Sequence, residues 1–574
     1  MKTIRINQRK IWFAILLLAL TLPSRLINID RAINIDEPFW VISSSNFYYA
    51  VTHRDFENTY FEYHPGVTNM WIISSALHFY FPEYRGYGQG FFDTRKPKFE
   101  EFMRNHDKEA IDLVRISRYI QSGVLAVLAV LAFLLLSLLV GENLALLSVA
   151  LATISPFFLG HSRLLNMESM VALFVLTSFL GTHIYLHTEK KLVYLLLSGV
   201  AFGLAQLTKS TSIVLAGVVG LILFVGLFNR NELSFGQKAK DATKTFAIWL
   251  GVAAFVYFIL WPGMWVAPGK MLAGVYGNAF SYAFQGARLD VTEELNPASF
   301  SLVSRLDGMY RYLLNWASST TLLTWAGLAF ALLLLFPNLK KQIPAAVKSM
   351  LLYLVVLGVL FILMFGIAQG RNSAHYIMNS FVVSDVIAGI GWGYMLMWVQ
   401  TRWKRLSPAY VTVGAVVALI AVQIGFGLPY APYYFTYKNP LAEQAATLGY
   451  GEGLSQAADY LAEKPNPEKI QAYVYNGMGT FSFYFPGETL VLKRIYFVNN
   501  DLATIANEIR SSDYLVLYPI TRSIHPETEK VLVEFEGVVK PEKVITINGL
   551  EYVQIYKVTD IPESVYEALL KKQK

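Results

Sequence analysis

The sequence predicts a mainly α-helical protein, a polytopic transmembrane helical bundle that ends in a small extracytoplasmic α/β domain. Three observations predict this class. The 574 residues are 54% hydrophobic and only 16% charged, whereas soluble proteins carry about a quarter charged residues. Apolar runs near the ~20 residues that a membrane-crossing helix needs recur along most of the chain. After residue 435 these runs stop, and charged residues and alternating patterns replace them.

The composition also excludes several classes of function. The net charge of +7 comes from basic residues scattered through short loops, which membrane topology explains better than nucleic-acid binding does. The chain has no cysteine, so disulfides, thiolate metal sites and cysteine nucleophiles are excluded. An extracytoplasmic domain of this protein must therefore stay folded by packing alone.

About eleven segments have the length and apolar character of membrane spans. They lie near 11–27, 119–140, 143–160, 167–187, 192–207, 211–228, 245–262, 319–336, 349–367, 376–399 and 408–428. Short loops rich in Lys and Arg face the cytoplasm. The basic N-terminus and every second connection after it fit this rule, except the turn at 141–143. The pattern predicts a multi-pass plasma-membrane protein with its N-terminus inside and its C-terminus outside.

One apolar segment, 67–81, decides this topology. As a full span it would invert every downstream loop and place the basic clusters outside. We interpret it as a helix in the outer interface, because it is short and its Trp and Tyr residues suit the headgroup region. The first outer loop then covers 28–118, which is too long for a mere connector.

The two predicted domains are a membrane domain, 1–435, and an extracytoplasmic α/β domain, 436–574. In the second domain, 454–464 has the pattern of an amphipathic helix, and 543–558 that of a hairpin turned at Asn548-Gly549. Further strands are predicted at 471–476, 489–498, 513–519 and 531–537.

Two adjacent carboxylates, Asp36 and Glu37, follow the first predicted span by about ten residues. Carboxylates that lose hydration beside a membrane suit proton transfer, so the pair is a candidate for the base of a reaction. The alternative is that Asp36 caps a helix opened by Pro38. Both interpretations can hold at once, because a cap fixes the position of its carboxylate.

Three basic residues, Arg163, Lys209 and Arg371, lie in short outer loops, where basic residues should be depleted. A phosphate or pyrophosphate of a lipid carrier at the outer leaflet would explain all three. Snorkelling to lipid headgroups would explain any one of them alone. Glu168 begins a span at the same edge and is a functional candidate, or else the partner of Arg163 or Lys209.

His64 could bind a metal or a sugar hydroxyl, although a lone loop histidine is more often structural. The spacing of His64 to His53, His161 and His375 matches no metal-ligand pattern.

These positions together resemble the GT-C membrane glycosyltransferases, specifically the branch of protein O-mannosyltransferases and lipid A aminoarabinose transferases. The resemblance runs through most of the membrane part, and its order and spacing are more specific than any single motif. The matching segments are DE at 36–37, HPG at 64–66, RISR at 115–118, HSRLLNMES at 161–169, GLAQLTKSTSIVL at 203–215 and RNSAHYIMNS at 371–380. Gly66 stands where the family has a second proline, and Glu168 where it usually has an aspartate.

The resemblance implies an inverting glycosyltransferase that moves a sugar from a polyprenyl-phosphate carrier to an acceptor hydroxyl at the outer membrane face. The acceptor is a protein, a lipid or a glycan, and the sugar stays open. Asp36 would deprotonate the acceptor, and Glu37 would orient the site. The other implied roles are donor-phosphate binding by Arg163, Lys209 and Arg371, and shaping of the site by His64, Glu168, His375 and Tyr376.

No cofactor is certain from the sequence. Some members of the aminoarabinose branch bind a divalent metal ion near the first outer loop, and His64 with Glu37 or Glu62 is a partial candidate for such a site.

The alternative function is a polytopic transporter or a flippase for lipid-linked sugars. A transporter should place ionisable residues in mid-span and show broken helices in related halves. Asp385 is the one clear mid-span acid, and no internal repeat is visible. The gathering of charged residues at one face favours surface chemistry over passage.

Overall fold

The computed structural model of the chain describes residues 7–94, 96–187, 190–228, 233–285, 302–334, 343–368, 373–403, 409–442, 449–523 and 525–573. The chain divides into two compact units. The helical unit consists of Met1–Ile27, Phe47–Ile72 and Tyr119–Ala442. The sheet unit consists of Asn28–Asn46, Ile73–Arg118 and Glu443–Lys574.

The helical unit is built almost entirely of apolar helices. Its own α-helices are Gln8–Leu26, Glu142–Ile154, Pro156–Ser162, Glu168–His187, Leu192–Thr208, Val214–Leu227, Phe235–Leu260, Gly263–Val266, Pro268–Leu272, Asn278–Gln285, Leu302–Ser319, Leu322–Leu333, Ala345–Ile367, Met378–Arg402 and Ala409–Gly427. The helices Glu37–Thr52, Val67–Tyr80 and Ala110–Val140 contribute residues to each unit.

Glycines let the helices of the helical unit approach each other closely. A Cβ atom at Gly389 would lie 2.3 Å from the Cα of Ser148, and one at Gly391 would lie 2.1 Å from the carbonyl oxygen of Gly327. Neither distance is sterically possible, so helix Met378–Arg402 packs on two neighbours only because these positions have no side chain. Small residues at helix contacts are the usual device where lipid removes the hydrophobic drive to associate.

Within the described residues, seven helices are long and apolar enough to cross a membrane, and two bent pairs raise the number to as many as nine. The seven are Ala110–Val140, Glu168–His187, Ser210–Leu227, Phe235–Leu260, Ala345–Ile367, Ala374–Arg402 and Tyr410–Tyr430. The pairs are Glu142–Ile154 with Pro156–Ser162, bent by 64°, and Arg305–Ser319 with Leu322–Leu333, bent by 108°. The polytopic, mainly helical class is therefore confirmed.

The sequence predicts eleven spans and the structure supports up to nine. The two predicted spans that do not meet the length and charge criteria are 192–207 and 11–27. Helix Leu192–Thr208 has only 17 residues, and helix Gln8–Leu26 carries three basic residues, Arg9, Lys10 and Arg25. The count of eleven and the inside position of the N-terminus stay predictions. The predicted interfacial segment forms helix Val67–Tyr80, whose 14 residues are too few to cross a bilayer directly.

The sheet unit contains one five-stranded mixed sheet. Its strands are β1 (Gln471–Tyr475), β2 (Glu488–Leu492), β3 (Tyr514–Leu517), β4 (Lys543–Ile547) and β5 (Leu550–Lys557), in the order β2-β1-β3-β5-β4. β1 pairs in parallel with β2 and β3, and β5 pairs antiparallel with β3 and β4. The helices of this unit are Lys98–Arg104, Leu454–Ala462, Arg494–Val498, Leu502–Ser511, Glu529–Phe535 and Glu563–Gln573.

The small C-terminal sheet confirms most of the predicted elements. The hairpin turns at Asn548 and Gly549, with φ of 52° and 79°, as a two-residue turn requires. The strand predicted at 531–537 is wrong, because helix Glu529–Phe535 occupies it and buries Val531, Leu532 and Phe535 on one face. The strand predicted at 489–498 ends early, since helix Arg494–Val498 follows β2.

Glu100 is a buried carboxylate of the sheet unit, on helix Lys98–Arg104. The Ser482 hydroxyl donates a hydrogen bond to its Oε1 at 2.9 Å. Burial raises the pKa of the Glu100 carboxyl from its ordinary 4.5 to about 7, because desolvation disfavours the ionised form. The carboxyl therefore loses its proton at a lower pH in the unfolded chain than in the folded protein. As a result, the free energy of unfolding falls as the pH rises from about 4.5 to about 7.

We expect Glu100→Gln to remove this part of the pH dependence, because glutamine stays neutral and keeps an acceptor for Ser482. Above pH 7 the variant should gain at most about 3 kcal/mol over the parent protein. The measurement is thermal unfolding of the purified protein at pH 5 and pH 8. Glu101→Gln, at an exposed position of the same helix, is the control, and equal pH responses of both variants would contradict the prediction.

Candidate functional site

The predicted site residues fall into two groups, one within each unit. In the sheet unit, Glu37 and Arg118 form an ion pair whose side chains are 0% and 1% exposed. Arg118 Nε donates to Glu37 Oε1 at 2.9 Å, and Arg118 Nη2 donates to Oε1 and Oε2 at 2.6 and 2.7 Å. Such bidentate pairing adds geometric specificity to the charge interaction.

The remaining donors of Arg118 hold the segment that precedes Glu37. Its Nη1 donates to the carbonyl oxygens of Ile29 and, at 2.9 Å, Arg31. A buried guanidinium needs this many acceptors, because each unsatisfied N–H would lose its hydration without compensation. Arg118 therefore fixes both a helix start and the loop before it.

Asn34 caps the start of helix Glu37–Thr52. Its Oδ1 accepts hydrogen bonds from the backbone N–H groups of Asp36 and Glu37 at 2.7 and 3.1 Å. Glu37 Oε2 accepts in return from the Asn34 N–H at 2.8 Å, the reciprocal arrangement of a capping box. Asn34 therefore supports this helix start, and the cap considered for Asp36 stays an alternative.

Asp36 is exposed, in contrast to the buried Glu37 beside it. The hydroxyl of Tyr450 donates a hydrogen bond to Asp36 Oδ2 at 2.9 Å. The backbone N–H of Ile35 also donates to the Tyr450 carbonyl at 3.3 Å. An accessible carboxylate on a rigid, hydrogen-bonded loop has the geometry of a positioned base.

Tyr450 was not among the residues that the sequence singled out. The signal that marks it is the run GYGEG at 449–453, in which all three glycines have positive φ: 51°, 109° and 82° for Gly449, Gly451 and Gly453. Glycine adopts such conformations more readily than other residues, so this spacing indicates a loop of defined shape.

In the helical unit, Lys209 and Glu168 form a second buried ion pair, 2% and 6% exposed. Lys209 Nζ donates to Glu168 Oε1 at 2.6 Å and lies 4.7 Å from the ring centre of Tyr376. Lys209 follows helix Leu192–Thr208 in an extended conformation. Of the alternatives for Glu168, the structure has the pair with Lys209. Because Lys209 is buried, it does not snorkel to lipid.

An ammonium group has three N–H donors. Among the described residues, the Lys209 ammonium has one hydrogen-bond acceptor, Glu168. Glu168 compensates the charge of Lys209 and holds the ammonium in place, and phosphate binding by Lys209 stays a prediction.

His64 lies partly buried in the same unit, next to Tyr63 at 4.1 Å between ring centres. Burial and the nearby positive charge of Lys209 lower the pKa of His64 well below its ordinary value, so the imidazole is neutral at neutral pH. Among the described residues, its Nδ1 is buried and has no hydrogen-bond partner.

His375 and Tyr376 begin the segment Ala374–Arg402. Their rings lie 4.4 Å apart, and the His375 ring also lies 5.5 Å from that of His161. Tyr376 stacks on Phe365 at 5.3 Å. The structure thus brings Glu168, His375, Tyr376, Lys209 and His64 into one polar cluster of the helical unit.

Arg163 has different partners from those expected. It is buried, and it donates to the carbonyl oxygens of Ser24 and Ile27 at 2.7 Å and of Arg25 at 3.2 Å. These carbonyls terminate helix Gln8–Leu26, where a cation is favoured. Phosphate binding by Arg163 stays a prediction. Arg371 lies outside the described residues.

A metal site is not built by the residues that the structure describes. Among them, no three His, Asp or Glu side chains come together as a group able to hold a metal ion. Glu37, one member of the partial site considered with His64, is engaged by Arg118.

Residues 114–269 match the family model described as dolichyl-phosphate-mannose-protein mannosyltransferase. The matched segment includes Arg118, Arg163, Glu168 and Lys209. This match confirms the resemblance to the protein O-mannosyltransferase branch of the GT-C glycosyltransferases, and with it the predicted enzyme class. A search of curated protein sequences finds no match.

Several solved structures are similar to this chain. One is ArnT from Cupriavidus metallidurans bound to undecaprenyl phosphate, with 12% identity over 95% of this chain and 97% of that chain and a TM-score of 0.47. Another is the Archaeoglobus fulgidus oligosaccharyltransferase in complex with zinc and sulfate, with 13% identity over 96% and 74% and a TM-score of 0.47. The S. cerevisiae protein O-mannosyltransferase complex bound to its sugar donor has 14% identity over 50% and 37% and a TM-score of 0.34.

We expect Arg118→Gln to destabilise the protein by about 3–5 kcal/mol, because it leaves the Glu37 carboxylate buried without its cation. Arg115→Gln is the control, since Arg115 makes partly exposed ion pairs with Asp30 and Asp112 that contribute at most about 1 kcal/mol. Denaturant unfolding of both purified variants measures the difference. Equal stability of the two variants would show that the buried pair does not hold the fold.

Proposed function

We propose that this glycosyltransferase of the GT-C type transfers a sugar, with inversion, from a polyprenyl-phosphate carrier to an acceptor hydroxyl at the outer face of the plasma membrane. The observation that carries the proposal is the buried Lys209–Glu168 pair inside the segment that matches the mannosyltransferase family. A buried cation of this kind is suited to a phosphate leaving group.

Asp36 is the proposed base. Its carboxylate takes the proton of the acceptor hydroxyl as the oxygen attacks the anomeric carbon from the face opposite the phosphate. A new glycosidic bond forms, the bond between the anomeric carbon and the phosphate oxygen breaks, and polyprenyl phosphate leaves with the electron pair. The exposure of Asp36 and its support by Tyr450 favour this role. Glu37 orients the loop through Arg118.

Lys209 and Arg371 are the proposed partners of the leaving phosphate. Negative charge grows on the phosphate as its bond to the sugar breaks, so a cation already in place lowers the barrier to reaction. Glu168 holds the Lys209 ammonium. Neutral His64, with its buried Nδ1, is suited to a hydrogen bond with a sugar hydroxyl or phosphate oxygen, and His375 and Tyr376 line the cluster.

The wider arrangement is part of the same proposal. The N-terminus is cytoplasmic, about eleven spans cross the membrane, and the C-terminal domain, 436–574, is extracytoplasmic and selects the acceptor. The acceptor is a protein, lipid or glycan hydroxyl.

The experiment that tests the function uses purified protein in liposomes with a panel of radiolabelled polyprenyl-phosphate sugars and candidate acceptors. A transferase releases polyprenyl phosphate and labels the acceptor. A flippase moves the labelled lipid between leaflets without consuming it. Movement without transfer by the intact protein would refute the proposal.

We expect Asp36→Asn to reduce transfer by about 10²–10⁴-fold, because the amide does not accept the proton, while the melting temperature stays unchanged. Asp107→Asn is the matched control. Asp107 is an exposed aspartate of the same unit with a φ of 54°, a conformation that Asn also tolerates. Wild-type turnover by Asp36→Asn would exclude Asp36 as the base.

We expect Lys209→Met to lower kcat at saturating donor by at least about 10-fold, since the lost cation stabilises charge that develops during reaction. Lys270→Met is the control, because Lys270 makes an exposed ion pair with Glu57 in the same unit. Initial rates against donor concentration separate the two effects: a variant with a changed KM and an unchanged kcat would show that Lys209 only binds the donor.

A further inference from the structure

Glu452 is a third buried carboxylate of the sheet unit. It lies in the loop 449–453, which bonds to the segment that carries Asp36 through the Ile35 N–H and the Tyr450 carbonyl. Its side chain is 0% exposed. Glu452 Oε2 accepts a hydrogen bond from the backbone N–H of Tyr450 at 2.6 Å and another from the hydroxyl of Tyr518. Among the described residues, no Lys or Arg pairs with it, in contrast to Glu37.

Tyr518 connects this carboxylate to the central sheet. It directly follows β3 and is 1% exposed. Its hydroxyl oxygen also accepts a hydrogen bond from the backbone N–H of Gly451 at 3.1 Å. The Glu452–Tyr518 pair therefore binds two consecutive backbone N–H groups of the loop, those of residues 450 and 451.

The loop also packs closely against the segment that carries Asp36. Gly451 has a φ of 109°, and a Cβ atom there would lie 2.4 Å from the carbonyl oxygen of Ile33. The Ile35 N–H bonds to the Tyr450 carbonyl from the other side. The backbone of Tyr450 is thus fixed by the sheet through Glu452 and by the loop that carries Asp36.

We propose that Tyr450 is a positioning residue for Asp36, and that the buried Glu452–Tyr518 pair holds Tyr450 in the position this requires. The inference rests on the proposed function of Asp36 as base. The Tyr450 hydroxyl donates to Asp36 Oδ2 at 2.9 Å. This hydrogen bond fixes the direction of the carboxylate and stabilises its ionised form, the form that accepts a proton.

Burial raises the pKa of the Glu452 carboxyl to about 7, because no cation offsets the lost hydration. The titratable groups around it are Tyr518, Tyr450 and, beside Tyr518, Tyr552. A carboxyl with a pKa of about 7 is neutral in half of the molecules at pH 7 and in most of them at lower pH. The neutral amide of glutamine, which keeps an acceptor oxygen of the same reach, is therefore a close replacement. Glu452→Gln is therefore the conservative variant, and Glu452→Leu is the disruptive one.

The experiment measures kcat/KM against pH for Tyr450→Phe in the full-length protein. The acid limb of the profile should move to higher pH by about one unit, since removing a hydrogen bond to a charged group destabilises that charge. Activity should recover toward the wild-type value at alkaline pH. Tyr460→Phe is the matched control, because the Tyr460 hydroxyl bonds to Glu542 on the surface of the same unit.

A second set of variants tests the Glu452–Tyr518 pair. Glu452→Leu should shift the acid limb in the same direction as Tyr450→Phe, and Glu452→Gln should restore the wild-type profile. Should Glu452→Leu fail to fold, Tyr450→Phe and Tyr518→Phe still decide the result, because both retain the aromatic ring. Tyr518→Phe removes the hydroxyl that bonds Glu452, so it should shift the limb in that direction too.

The failures of the two proposals are distinguishable. An acid limb unmoved in Tyr450→Phe, while Asp36→Asn is inactive, overturns the positioning role and leaves the function intact. Full activity of Asp36→Asn overturns the function itself. A uniform loss across all pH values in Tyr450→Phe shows a structural role only, and it also overturns the inference.

Discussion

The buried ion pair between Glu37 and Arg118 is the constraint on which the candidate catalytic loop depends. One guanidinium satisfies both oxygens of Glu37 and also carbonyls of the segment 29–32. Removing either partner leaves an uncompensated charge away from water, which is far more costly than losing a surface ion pair. The pair therefore defines where helix Glu37–Thr52 starts, and with it the position of Asp36.

The three buried carboxylates of the sheet unit named above differ in how their burial is compensated. Glu37 is neutralised by a cation, whereas Glu452 and Glu100 are buried with hydroxyl and backbone partners, and burial raises the pKa of each to about 7. Asp36, in contrast to these three, is exposed. Hydrogen-bonded neighbours such as Asn34 and Tyr450 hold the exposed Asp36 in one place, and general-base chemistry requires such a fixed position.

The helical unit also contains a buried ion pair, formed by Lys209 and Glu168. Lys209 and Glu168 lie 41 positions apart in sequence and meet as a buried pair at 2.6 Å, and Tyr376 adds its ring face to the ammonium. The loop-charge argument pointed to Lys209 and Arg163 alike, because both break the same topological rule. Their environments differ: Lys209 joins a polar cluster, while the Arg163 guanidinium bonds to the carbonyls that end the first helix.

The sequence by itself determined the mainly helical membrane class, the small C-terminal sheet with its Asn548-Gly549 turn, and the family motifs, because apolar run length, turn chemistry and motif spacing are local properties. The strand predicted from the sequence at 531–537 was wrong, because its apolar residues fit a strand as well as the buried face of a short helix. Only the tertiary structure decided the partners of the charges. Arg118 with Glu37, Tyr450 with Asp36 and Lys209 with Glu168 join residues 81, 414 and 41 positions apart. Desolvation selects such partners among many candidates, and burial exists only once the chain has folded.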